Sequence, residues 1–233
     1  MRLVFRGVRI FREEPGTMAT VDRKIDYPTS DGRPMAETDW HRDLMSALIA
    51  MLKMWYAKVR RVYVSGNLLL YYVPGNKRKH VAPDVFVVRG ISKRKRLYYL
   101  LWEEGKSPEM IIELTSKSTR KEDVDTKFIL YRDVLKVQEY FLFDPFGEYL
   151  KPPLQGYRLT DGEYLPIEPV AGRLPSEVTG LHLERDGTML RLYDPATGRW
   201  LPTLEETADQ LAAENERLRH EIESLRRRLA EES

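Results

Sequence analysis

The chain has 233 residues, of which 42% are apolar, enough for one well-packed core plus an appendage, and its formal net charge of +2 excludes a strongly basic nucleic-acid coat. It has no cysteine, which excludes disulfides and thiolate metal sites and fits a reducing cytoplasm. The opening stretch MRLVFRGVRIFREEPG is broken by arginines and glutamates, so it lacks the apolar centre of a signal peptide, and no apolar run is long enough to span a bilayer. The expectation is a cytoplasmic protein without membrane association.

Residues 38 to 60 read as a helix, because Trp40, Leu44, Leu48, Leu52 and Trp55 recur at three- and four-residue spacing. Two strands follow, RVYVSGNLLLYYV and HVAPDVFVV, joined across the turn formers of PGNKRK. The segment 91 to 108 is basic and aromatic without a period and reads as an excursion. PEMIIELTSKST then reads as a buried strand. A helix is expected from about Arg120, with Thr119 and Glu122 at capping-box spacing, and VQEYFLFDP reads as the next buried strand. Strand, helix and strand make a crossover unit with parallel pairing, so the fold class is α/β, with a mixed sheet flanked by helices. From 145 to 203 short strands are broken by DG at 161 and 186 and by TG at 197, the signal of C-terminal β-hairpins.

The tail differs in kind. Leu204, Leu211, Leu218 and Leu225 recur every seven residues, interleaved with Ala208, Asn215, Ile222 and Leu229. This is a leucine-zipper heptad with leucines at d and the second set at a. Glu214 and Glu221 then fall at g, and Arg219 and Arg226 at e, so each acid faces an arginine of a parallel partner. A surface helix packed on its own domain is the competing reading. The expected organisation is one domain over 1–203, hairpin-rich over 145–203, followed by a coiled-coil tail over 204–233 that makes a homodimer.

Two acids stand out against their surroundings. Glu113 lies among Ile111, Ile112 and Leu114, and Asp84 opens an apolar strand directly after Pro83. An isolated carboxylate is strongly disfavoured in such places, so each must be neutralised, paired, bound to a cation or set at a strand end facing water. Two acids at the ends of neighbouring strands form a hard, oxygen-only site suited to Mg²⁺, with Mn²⁺ as a substitute. The four histidines show no zinc-ligand spacing. Asp123, Lys127 and Tyr131 are four residues apart on the following helix, so Lys127 can reach the site, although an exposed Asp–Lys pair on a helix surface has the same spacing. The clusters NKRKH and SKRKR bracket the Asp84 strand. Their Lys77, Arg78, Lys79, Lys93, Arg94, Lys95 and Arg96 are candidate phosphate contacts, or solvated loop charge.

The ordered blocks APDVFVV, IIELTSKST, the Asp123, Lys127 and Tyr131 set, and VQEYFLFDP resemble the Uma-type restriction endonucleases, a bacterial branch of the PD-(D/E)XK nuclease superfamily. YPTSDGRPMAETDWHRDL and YVSGNLLLYY extend the resemblance over roughly residues 25 to 200. It implies a restriction-endonuclease-like core and a Mg²⁺-dependent endonuclease acting on DNA, with Asp84 and Glu113 as metal ligands and catalytic residues. The superfamily's lysine, two residues after the glutamate, is replaced here by Thr115. The branch supplies it from the next helix, which maps onto Lys127, and Lys117 is the rival. Glu37 and His41 match the first block as supporting residues, with a structural polar contact as the competing reading for His41. The alternative function is a nuclease-fold protein with weak or no catalysis, acting as a DNA-binding or scaffolding dimer.

Overall fold

The computed structural model describes residues 27–30, 38–116 and 119–231. Glu37 and Lys117 lie outside them.

Helix α1 (Asp39–Trp55) begins at Thr38, whose side chain accepts the His41 backbone N–H at 3.2 Å. It buries Leu44, Met45, Leu48, Met51 and Leu52 and ends five residues short of the expected boundary. The two long strands expected between 61 and 88 are each broken. The first divides into β1 (Val62–Ser65) and β2 (Leu70–Tyr71), the second into β3 (His80–Val81) and β4 (Val85–Arg89). The outer pair, β1 and β4, lies in one sheet, while the inner pair, β2 and β3, turns into another. Gly66 makes the break: a Cβ there would lie 1.9 Å from the Asp84 carbonyl oxygen, so only glycine lets the chain pass this close.

The excursion contains β5 (Tyr99–Leu100), parallel to β2, and the short helix α2 (Leu101–Glu104). Then come β6 (Met110–Leu114), a helical segment, and β7 (Glu139–Phe143), with β6 and β7 parallel as the crossover reading requires. The helical segment carries π-helical turns at Glu122–Lys127 and Leu130–Val134, visible in the Leu135 N–H bonded to the Leu130 carbonyl. Its start also departs from the expected capping box. The Thr119 hydroxyl meets the Ser116 backbone N–H and hydroxyl, and the Arg120 N–H bonds the Ser116 carbonyl.

Strands β8 (Leu154–Thr160) and β9 (Glu163–Pro166) form a hairpin across Asp161–Gly162, both at positive φ. They extend the main sheet, whose order is β1-β4-β6-β7-β8-β9. The remaining strands, β10 (Leu174–Pro175), β11 (His182–Asp186), β12 (Met189–Asp194) and β13 (Arg199–Trp200), form a separate antiparallel sheet. Finally α3 (Leu204–Glu231) runs 28 residues.

The molecule is thus a mixed α/β protein with C-terminal strands and a long terminal helix. Alternation along the main sheet sorts its core into two layers. Val85, Val87, Met110, Ile112 and Leu114 pack with α1 and the second sheet, while Phe86, Val88, Ile111, Tyr140 and Leu142 pack with Tyr131 and the helical segment. By the same alternation Glu113 points to the second layer, and Asp84 has the parity of Phe86 and Val88.

Candidate active site

The register Val85↔Ile112, continued by one residue, sets Asp84 opposite Glu113 where β4 begins and β6 ends. The Leu114 N–H donates to Asp84 Oδ2 at 2.7 Å, closing the strand pair with a side chain instead of a carbonyl. From α1, His41 Nε2 lies 3.2 Å from Asp84 Oδ1. The Gly66 bend passes behind the Asp84 carbonyl, and the Asn67 N–H bonds the Pro83 carbonyl at 2.8 Å. Asp84 is therefore gripped by three separate parts of the chain.

Glu113 is 0% exposed. Tyr131 donates its hydroxyl to Oε1 at 2.6 Å, and Lys127 Nζ donates to Oε2 at 2.9 Å. The same ammonium lies 2.9 Å from Asp123 Oδ1. The expected one-face alignment of Asp123, Lys127 and Tyr131 is thus realised, and the face turns inward instead of to solvent. His41 also reaches the cluster. The burial of Glu113 among apolar strands is accounted for by one ammonium and one phenol.

The charges in this cluster do not balance. Three carboxylates share one lysine. Burial raises Glu113 well above the ordinary range, Lys127 opposes that, and Asp84 and Asp123 add to it. Burial likewise raises Asp123, against Lys127. Asp84 ends lowered: burial works to raise it, and the His41 hydrogen bond, Lys127 and the Leu114 N–H outweigh that. Burial works to lower Lys127, but Glu113, Asp123 and Asp84 raise it, so it stays an ammonium. Burial raises Tyr131, which keeps its proton for Glu113.

Among the described residues no three His, Asp or Glu side chains converge as a ready-made metal cage. The donors nevertheless fit Mg²⁺, which is held by one or two carboxylates and completed by water and substrate phosphate oxygens. Two further observations agree with this fit. The acids exceed the cations, and Thr115 Oγ1 is buried with no hydrogen-bond partner among the described residues. Thr115 stands two positions after Glu113, hence on the same face of the strand, and a buried hydroxyl left unpaired is costly. Sequence reasoning noted Thr115 only as the position lacking the superfamily lysine, and Gly66 only as part of a block. A glycine inside a strand pattern is the signal for close backbone approach that marks Gly66; nothing in the pattern marks the orphaned hydroxyl.

The basic clusters divide. Lys77, Arg78 and Lys79 are exposed on the turn between β2 and β3. In the second cluster Lys93 Nζ donates to the Tyr56 and Ala57 carbonyls at the end of α1, and Arg94 pairs with Glu104. Arg96 differs from its neighbours. Its side chain is 1% exposed, bonded to Glu104 and stacked 4.2 Å above the Tyr63 ring, so the outward charge here belongs to Lys93, Arg94 and Lys95. Lys53, Tyr56, Tyr63 and this cluster line a cavity of about 550 Å³ beside β1.

No helix among the described residues is long and apolar enough to cross a membrane. A comparison with curated proteins finds no match. One similar solved structure is described as "a putative nuclease belonging to DUF820 from Anabaena variabilis ATCC 29413"; it is 16% identical, with 64% of this chain and 79% of that chain covered and a TM-score of 0.46. The family model described as "Uma2: Putative restriction endonuclease" matches residues 13–189. That match spans well over half of the chain, and the protein belongs to the Uma2 restriction endonuclease family.

Proposed function

We propose that the protein is a Mg²⁺-dependent endonuclease that hydrolyses phosphodiester bonds in DNA. The observation that carries this reading is the set of fully buried Glu113 and partly buried Asp84 and Lys127, with Lys127 Nζ 2.9 Å from Glu113. Asp84 and Glu113 hold the cation, which supplies Lewis-acid polarisation of the scissile phosphate. His41 and the Leu114 N–H keep Asp84 ionised and oriented. Tyr131 fixes Glu113 Oε1 and Lys127 holds Oε2, which orients the carboxylate that would help hold the cation. Lys127 stabilises negative charge that grows on the phosphate as water adds to phosphorus, releasing its proton to solvent, and the ester P–O bond breaks; the leaving oxygen takes a proton from solvent. Lys77, Arg78, Lys79, Lys93, Arg94 and Lys95 contact DNA phosphates outside the site.

The active form is a parallel homodimer joined through α3. Its a and d residues, including Leu211, Leu218, Ile222 and Leu225, are exposed along one stripe. Glu214 and Glu221 complement Arg219 and Arg226 of a second copy.

Purified protein incubated with duplex, single-stranded and branched DNA tests the activity. Cleavage is expected with Mg²⁺ or Mn²⁺, none in EDTA, and none with Ca²⁺. Asp84→Asn and Glu113→Gln are expected to abolish both cleavage and tight metal binding, whereas Lys127→Ala lowers turnover with metal affinity near wild type. Cleavage that survives the Asp84 and Glu113 changes belongs to a contaminant, and the DNA-binding scaffold then becomes the reading.

A further inference from the structure

Trp40 and Phe146 are large aromatics that the fold leaves in solvent, 57% and 51% exposed, yet they touch each other edge to face with centroids 6.3 Å apart. They come from different elements. Trp40 lies in the first turn of α1, next to the histidine that contacts Asp84. Phe146 lies in the loop leaving β7, and β7 runs parallel to β6 with Leu114 opposite Phe143 and the Thr115 N–H on the Phe143 carbonyl. Both therefore stand at the end of the sheet where Asp84 and Glu113 lie.

The Phe146 loop is built to hold its shape. Asp144, fully buried, accepts the backbone N–H groups of Phe146, Gly147, Tyr149 and Leu150. Cations flank it: Lys151 Nζ bonds the Gly147 carbonyl, and an Arg185 guanidinium nitrogen lies 3.3 Å from the Pro145 carbonyl. An aromatic pair beside a loop that carries cations is suited to hold an unpaired nucleic-acid base, the ring stacking on the base and the cations near the backbone.

We propose that Trp40 and Phe146 form a stacking platform for an unpaired base next to the scissile phosphate, so that the preferred DNA is single-stranded or locally opened. The choice of DNA as occupant rests on the nuclease reading. The rings themselves supply the preference for a base, since every base has a π face and backbone phosphates do not.

The test is binding, measured apart from cleavage. The full chain, in Ca²⁺, is titrated against fluorescein-labelled oligothymidylate and against the same strand carrying abasic sites in place of bases. Wild type is expected to bind the base-bearing strand about tenfold more tightly or better, the usual size for one base–aromatic stack. Trp40→Ala and Phe146→Ala should each reduce that preference, the double change should remove it, and Trp40→Phe should keep most of it. Affinity for the abasic strand should stay the same throughout, which also controls for folding. A base preference that survives the double change overturns the inference, as does a wild type that does not distinguish the strands. Wild type that stacks bases but never cuts DNA would sink the nuclease reading alone; protein that cuts DNA while its base preference ignores both rings would sink only this one.

Discussion

At the scale of single residues, Thr115 has the most informative surroundings. Its hydroxyl, two positions after Glu113, is buried with no partner among the described residues, whereas Tyr131 and Lys127 are both engaged with Glu113. Fold stability alone favours valine there, which keeps the shape and removes a polar group that water can no longer reach. Thr115→Val is therefore expected to raise the stability of the metal-free protein by about 1 kcal/mol and to lower metal affinity and turnover. Urea denaturation in EDTA, set beside calorimetric Mn²⁺ titration, checks both signs at once. A loss of stability would mean that the hydroxyl is satisfied in the metal-free protein, and unchanged metal affinity would remove Thr115 from the site.

At the scale of elements, the site exists because two strands break where long strands were expected. The apolar pattern of 61–73 and 80–88 is continuous, so it cannot show that β1 and β4 enter one sheet while β2 and β3 leave it. The Gly66 approach to the Asp84 carbonyl makes that division and sets where β4 starts. Gly66→Ala should force the two backbones apart, costing about 2 kcal/mol or more and moving Asp84 away from Glu113. The expected result is a lower urea midpoint, with cleavage reduced by more than the loss of folded protein explains. A variant with wild-type stability and activity would mean that the bend is free to relax. Other parts of this region were legible from residues alone. The crossover through 120–134 follows from a periodic segment between two apolar runs, and the shared face of Asp123, Lys127 and Tyr131 from four-residue spacing. That spacing serves an exposed Asp–Lys pair equally well and does not show that the face turns inward. The π-helical turns were not legible, because periodicity over fifteen residues does not separate them from α-helical ones. Nor was the internal use of Arg96, since a basic run reads the same whether a guanidinium meets solvent or stacks on Tyr63.

At the scale of the molecule, α3 is attached to the body near its start, where the described residues show its contacts. Thr203 and Glu206 form a reciprocal cap there, with the Glu206 N–H on Thr203 Oγ1 at 3.2 Å and the Thr203 N–H on Glu206 Oε2 at 2.8 Å, and Arg191 pairs with the same glutamate. The whole helix of 28 residues makes a rod of roughly 40 Å at the usual rise, with Leu211, Leu218, Ile222, Leu225 and Leu229 all exposed. An isolated helix of this kind is weakly stable in water, and a second copy would cover the stripe while pairing Glu214 and Glu221 with Arg219 and Arg226. Sedimentation of the full chain should give a dimer, and a chain ending near Pro202 should give a folded monomer. A dimer that persists without α3 would put the interface on the body. Asn215 supplies the finer test. In the single chain its Nδ2 bonds the Leu211 carbonyl at 2.9 Å, a contact that any helix offers; at an a position it instead faces its counterpart, favouring two strands in one register at a cost in stability. Asn215→Leu should therefore strengthen association and admit trimers or shifted registers. A variant that remains a strict dimer of unchanged stability would remove Asn215 from the seam and, with it, the parallel pairing of glutamates and arginines drawn from that register.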